Sequence, residues 1–150
     1  MNIKVRKMDL SDISFVYEEE IKIFGKSLGE KTLYNEIMYN DLSRYFIALV
    51  DGKRVGYVGS WLTLPNAEIL NLFVLDRFRG QKIGKQLMEK VVEVCNKNDI
   101  EVLSLEVNIN NIYAINMYNN LGFKIGSVRK NYYDNKEDAL LMIKELGGKK

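Results

Sequence analysis

The sequence predicts an α/β protein, a mixed sheet covered by helices, from three observations. Strand-length apolar segments come first, at residues 3–7, 45–50 and 55–62, and strands then alternate with helical patterns from Ile69 onward. Asp51-Gly52 stands between two of those segments and supplies the positive backbone angles of a tight hairpin. The stretch Ile69–Met88 begins as a strand-length apolar run ending at Leu75 and crosses a turn holding Gly80 and Gly84. It continues at helical spacing through Ile83, Leu87, Met88 and Val91.

In chain order, Ile3–Lys7 alternates weakly and reads as a strand. Asp9 or Ser11 is placed to cap a following helix with Ile13, Val16, Tyr17 and Phe24 inward, which turns Glu18, Glu19 and Glu20 mostly to solvent. Gly25–Gly29 interrupts the chain, and Leu33, Ile37 and Met38 mark a shorter second helix. Tyr45–Val50 and Val55–Leu62 are the hairpin strands, and Pro65-Asn66 turns the chain into the central strand. The helix after Ile83 extends through Val94 and Cys95, whose place on the apolar stripe marks a buried structural cysteine. Val102–Val107 is the next strand. Ala114, Ile115, Met117, Tyr118 and Leu121 form a helix that Gly122 stops, and Phe123–Val128 and Ala139–Leu146 complete the sheet.

With 150 residues, 47% of them hydrophobic, the chain is expected to fold as one domain over residues 1–146, with 147–150 a flexible tail. A net charge of +2, with no dense basic block outside the glycine turn and the last two lysines, points away from nucleic acid and membrane surfaces. No apolar run approaches spanning length and no signal-peptide core follows Met1, so a cytoplasmic protein is expected, a monomer or weak dimer. One cysteine excludes an internal disulfide. The lack of histidine removes Ser-His and Cys-His triads and ordinary zinc sites, so no metal is expected.

The turn is the first place where chemistry gathers. Arg79, Gly80, Gln81, Lys82, Ile83 and Gly84 combine permissive backbone with the unpaired first amides of a helix, which makes an anion cradle. Arg77, Arg79, Lys82 and Lys85 add positive charge, and a phosphorylated ligand is the expected guest. A plain glycine turn with a solvated basic face would have the same composition. The P-loop spacing and the Rossmann glycine pattern are both absent. Glu106 interrupts an otherwise uncharged strand near its C-terminal end, where α/β sheets face their ligands, although a solvated strand face would read identically. Tyr118 offers a phenolic proton but also lies on a core-facing helical stripe.

Arg79-Gly80-Gln81-Lys82-Ile83-Gly84 resembles the pyrophosphate-binding motif Q/R-x-x-G-x-G/A of the GNAT acetyltransferases, with Lys82 in the place of the first glycine. Asn111-Ile112-Tyr113-Ala114-Ile115-Asn116-Met117-Tyr118, followed by Leu121-Gly122-Phe123, is similar to that family's N-x-x-A-x-x-x-Y signature ending in LGF. LEVN at 105–108 and RKNYYDNKEDALLM at 129–142 resemble the ribosomal-protein alanine N-acetyltransferases of the RimI type within the family. The resemblance implies a largely antiparallel sheet of about seven strands flanked by about four helices. It implies acetyl-CoA as co-substrate, held by Leu72, Phe73, Val74, Arg79 to Lys85 and Asn111. It makes Glu106 the base and Tyr118 the acid, and it implies that the acceptor is the N-terminus of a ribosomal protein. Acetyl transfer needs a neutral amine, a carbonyl polarised by a backbone amide near Phe73 or Val74, and a proton for the thiolate. Arg129, Tyr132 and Tyr133 follow the strand from Phe123 and are expected to wall the acceptor peptide. Two departures bear on specificity: Asn108 replaces a common Arg, and residues 24–30 lack the Trp often found in that substrate loop. Acetylation of a small amine or a lysine, and CoA binding without catalysis, are the alternative functions.

Overall fold

The computed structural model describes residues 2–133 and 137–147; residues 148–150 of the expected tail lie outside it. Its elements are β1 (Ile3–Lys7), α1 (Ile13–Phe24), α2 (Glu30–Tyr39), β2 (Ser43–Val50), β3 (Lys53–Thr63), β4 (Asn66–Val74), α3 (Ile83–Lys97), β5 (Val102–Asn108), α4 (Ile112–Asn120), β6 (Lys124–Arg129) and β7 (Ala139–Glu145). The strands bond in the order β1-β2-β3-β4-β5-β7-β6. The β1–β2, β2–β3, β5–β7 and β6–β7 pairs are antiparallel and β4–β5 is parallel, so the largely antiparallel seven-stranded sheet with four helices is the observed fold. Among the described residues no helix is long and apolar enough to cross a membrane.

The chain divides into two compact units. One comprises Met1–Trp61 with Asn71–Val91, the other Leu62–Leu70 with Val92–Lys150. In the first, β2 and β3 are buried over most of their length, and Ile47, Tyr57, Val58, Val16, Leu33, Leu87 and Met88 form its core. Gly56 has no side chain because a Cβ there would come within 3.1 Å of the Phe73 carbonyl oxygen and 3.2 Å of Leu87. The entry to α1 is a short 3-10 turn, Leu10–Asp12, closed by a capping box: Ser11 N–H donates to Asp9 and Asp9 N–H donates to Asp12.

Two expectations for α1 are corrected. Phe24 is 44% exposed, being the last helical residue before Gly25 turns the chain through a left-handed angle. Glu20 is only 1% exposed, and the inward stripe runs Ile13, Val16, Glu20. Periodicity places a residue on a face; what makes a carboxylate tolerable there is a set of partners from remote segments, which periodicity does not register.

In the second unit β5 alternates strictly, with Leu103, Leu105 and Val107 buried and Ser104, Glu106 and Asn108 on the opposite face. β7 pairs with β5 along its length, from Val102↔Glu145 to Asn108↔Ala139. The parallel register of β4 with β5 runs only from Asn66↔Val102 to Ile69↔Leu105. β6 is exposed throughout. The α4 helix stops at Gly122, whose φ of +96° suits glycine, and Lys144 Nζ donates to the freed Leu121 carbonyl at 2.8 Å.

Candidate active site

The turn between β4 and α3 holds two residues at left-handed angles, Gly80 (φ +78°) and Lys82 (φ +66°). The lysine thus adopts a conformation that costs a side-chain-bearing residue roughly 1–2 kcal/mol, although it stands where the family motif has glycine. The backbone series of α3 begins with Gln86 N–H donating to the Lys82 carbonyl at 3.1 Å, leaving the amides of the preceding turn to a ligand. Ile83 and Gly84 are buried at the start of α3, and a Cβ on Gly80 would meet nothing within 4 Å. Gln81 Oε1 is buried with no hydrogen-bond partner among the described residues, an acceptor that a ligand N–H would satisfy. Amides for phosphate, an open approach and an orphaned acceptor fit acetyl-CoA. Arg79 is fastened locally, its Nη1 3.3 Å from Asp76 and its Nε donating to the Val74 carbonyl at 3.4 Å, while Arg77 lies over the Phe78 ring. Lys85 lies 4.0 Å from Glu89. Phe73 and Val74 are buried and Leu72 half-buried on β4, with the Leu72 amide donating to Asn71 Oδ1 at 3.0 Å.

On β5 the Glu106 carboxylate is gripped from the last residue of β6 and the segment after it. Arg129 Nε lies 2.6 Å from Oε2, and Tyr132 Oη donates to Oε1 at 2.9 Å. Oε2 is buried and its charge is answered by the ion pair rather than by an aligned hydrogen bond. Arg129 also stacks over the Tyr132 ring at 5.9 Å, and Tyr132 meets Tyr133 edge to face at 5.0 Å. The hydrogen bond to Glu106 raises the Tyr132 pKa; burial, then the neighbouring Tyr132, Glu106 and Glu137, push Tyr133 up to about 12. Three residues named from sequence as acceptor walls are therefore assembled around, or next to, the named base.

Tyr118 is buried on α4 against Phe123, ring centroids 5.8 Å apart. Burial, helped by Tyr133, raises its pKa well above the usual phenol value, so it stays protonated. Asn111 is the N-cap of α4, its side-chain oxygen accepting from Ala114 N–H at 3.1 Å, which leaves its amide N–H groups for a ligand. Asn108, in the place of the common Arg, donates to Glu137 at 2.8 Å.

Sequence reading missed a polar cluster in the first unit. Glu20 accepts from Ser27 Oγ at 2.7 Å and from Asn71 Nδ2 at 2.7 Å; burial raises its pKa against the opposing effect of these bonds and of the Leu28 amide. The available signal was the four-residue step from Val16 to Glu20 along the inward stripe. A second carboxylate, Glu36 of α2, accepts from Tyr45 Oη, Trp61 Nε1 and Asn40, and binds α2 to β2 and β3.

The glycine turn between β4 and α3 has the conformation and the orphaned acceptor described above, and the Glu106 carboxylate is set among tyrosines. Residues 13–123 match the Acetyltransferase (GNAT) family, and the chain belongs to that family. A Bacillus subtilis (strain 168) protein, provisionally named a ribosomal protein bS18-alanine N-acetyltransferase, is 40% identical over 139 residues, 92% of each chain. Among solved structures, the ribosomal-protein-S18-alanine N-acetyltransferase of Escherichia coli superposes with a TM-score of 0.86 at 25% identity, covering 97% of this chain and 94% of that one. Arabidopsis thaliana NAA60 in complex with acetyl-CoA shares the fold, with a TM-score of 0.86 at 19% identity over 98% of this chain and all of the other.

Proposed function

We propose that this chain is an acetyl-CoA-dependent N-acetyltransferase acting on the N-terminal α-amine, alanine above all, of a ribosomal protein in the cytoplasm. The observation that carries the reading is the Glu106 carboxylate held by Arg129 and Tyr132, in a chain 40% identical to a relative named for bS18-alanine acetylation. Acetyl-CoA supplies the acyl group as a thioester. The amides from Gly80 to Lys85 bind its pyrophosphate, and the backbone of Leu72–Val74 and the N–H groups of Asn111 serve the rest of the donor. Arg129 now gives Glu106 a cation, a place an incoming α-ammonium can take; Glu106 then accepts the proton that makes the amine a nucleophile. As the amine nitrogen bonds to the thioester carbon and the C–S bond breaks, the nitrogen's second proton passes to the departing sulfur to give the CoA thiol, while a hydrogen bond to that sulfur comes from Tyr118. Its raised pKa makes full proton release costly, so stabilising the sulfur by that bond is its main work. Tyr132 and Tyr133 offer flat walls with hydroxyls, suited to an extended peptide.

An α-amine, with a free pKa of about 7.7 to 8.0, is easier to deprotonate than a lysine by roughly 3.5 kcal/mol. The test is one Ala-initiated peptide with an internal Lys, offered with its N-terminus free or blocked and read by mass spectrometry. Acetylation of the free peptide at its N-terminus, with the blocked peptide inert, is the expected result. A blocked peptide acetylated on Lys as fast as the free one at its N-terminus sinks the N-terminal reading.

A further inference from the structure

We propose that Glu20 is a positioning residue for acyl transfer: through Asn71 it fixes the backbone of Leu72–Val74, and through Ser27 it ties that stretch to the turn between α1 and α2. The inference rests on the reading that this backbone receives the acyl donor.

The irregularity begins in β4. From Asn66 to Ile69 the strand alternates exposed and buried; Leu70, Asn71 and Leu72 are then all half-buried, and Phe73 and Val74 are both buried. The alternation lapses where Asn71 Oδ1 takes the Leu72 amide, and the register with β5 ends just before it, at Ile69↔Leu105. The Leu72 amide is thus engaged by the preceding side chain at the point where the regular alternation and the register with β5 have both ended.

An asparagine can present either its oxygen or its NH2 group, and only the oxygen can accept from Leu72. What selects that orientation is the other end of the side chain, where Nδ2 donates to Glu20 Oε2 at 2.7 Å. Both Glu20 oxygens are acceptors, Oε1 from Ser27 and Oε2 from Asn71, so Glu20 presents no donor to a flipped amide. Its second oxygen accepts from Ser27 Oγ, which itself accepts from Gly29 N–H at 3.1 Å, at the N-cap of α2. Donors thus run inward from two remote segments and converge on one buried carboxylate. A residue serving only to fill space would not need an acceptor-only group there.

The decisive variant is Glu20→Gln, because glutamine fills the same volume but can also donate, and so permits the flipped Asn71. Amide hydrogen exchange of Leu72, followed by NMR on the free protein, is expected to quicken about tenfold, as a local opening would. The kcat for acetyl transfer to an Ala-initiated peptide is expected to fall about tenfold with the KM for acetyl-CoA within about twofold. The double variant Glu20→Gln with Asn71→Ala should lose no more kcat than Asn71→Ala alone, since both act along one path. Unchanged exchange at Leu72 in a folded Glu20→Gln protein, or losses that multiply in the double variant, would overturn the proposal. Should Glu20→Gln not fold, Ser27→Ala frees the other carboxylate oxygen and is expected to quicken Leu72 exchange about threefold; no change there overturns it equally. A wild type that acetylates no N-terminal peptide defeats the proposed function, whereas exchange at Leu72 needs no substrate and still decides the role of Glu20.

Discussion

Asp12 and Glu20 lie on the same element or its cap, both buried, and are solved in opposite ways. Asp12 is fully buried between Arg6, at 2.8 and 2.9 Å, and Arg54 Nε, at 2.6 Å. Burial pushes its carboxyl up, but the bonds from Arg6, the Asp9 amide and Arg54 together outweigh burial and bring it down to about 2 from 3.8. A depressed folded-state pKa gives stability that is present above the unfolded value and lost as pH falls through the folded one. The ion pairs of Asp12 should therefore contribute about 2 kcal/mol above pH ~4 that disappears toward pH ~2. Urea unfolding across that range should show the loss, and Asp12→Asn should flatten the slope; an unchanged slope would remove Asp12 as its source. Glu20 shifts the other way because burial raises its pKa and its partners, all neutral donors, do not outweigh that.

The turn before α3 shows an element imposing its geometry on a residue. A glycine is what φ +66° at position 82 asks for, and this chain supplies a lysine, trading backbone ease for a cation beside the proposed anion cradle. Lys82→Gly is accordingly expected to raise stability by up to about 1 kcal/mol in urea unfolding while weakening acetyl-CoA binding and its salt dependence in calorimetry. A less stable Lys82→Gly protein with unchanged affinity would reverse both halves of that trade. The segment from β6 to β7 makes a related point. β6 is exposed on all six residues, so its value lies in presenting Arg129 and the tyrosines after it to Glu106 rather than in core packing.

At the scale of the whole molecule, β4 and α3 each contribute residues to both compact units. Continuous hydrogen-bonded elements do not melt by halves, so we expect one domain and one cooperative unfolding transition. Fluorescence of Trp61, the only tryptophan, should coincide with far-UV circular dichroism in a urea titration. Separated midpoints would mean that the units unfold independently.

The order of strands and helices, the hairpin at Asp51-Gly52, the glycine turn and the family were all legible in the sequence, because each is a local matter of period, turn chemistry or contiguous motif. Glu106 could be picked out as a charge in an uncharged strand, yet whether it met solvent or partners was undecided until β7 laid the segment after β6 beside it. Three consecutive glutamates read as a solvated face, and Glu20 is nonetheless buried. Its burial depends on Ser27 seven residues away and Asn71 fifty-one residues away, both brought to it by the fold. The left-handed angle at Lys82 belongs to the same class, since the sequence there argues against the conformation that the strand and helix on either side require. Local pattern decides which elements form and which face of each is apolar. Only the tertiary structure decides which buried charge finds a partner, because a carboxylate's cost inside a protein is set by donors that lie far along the chain.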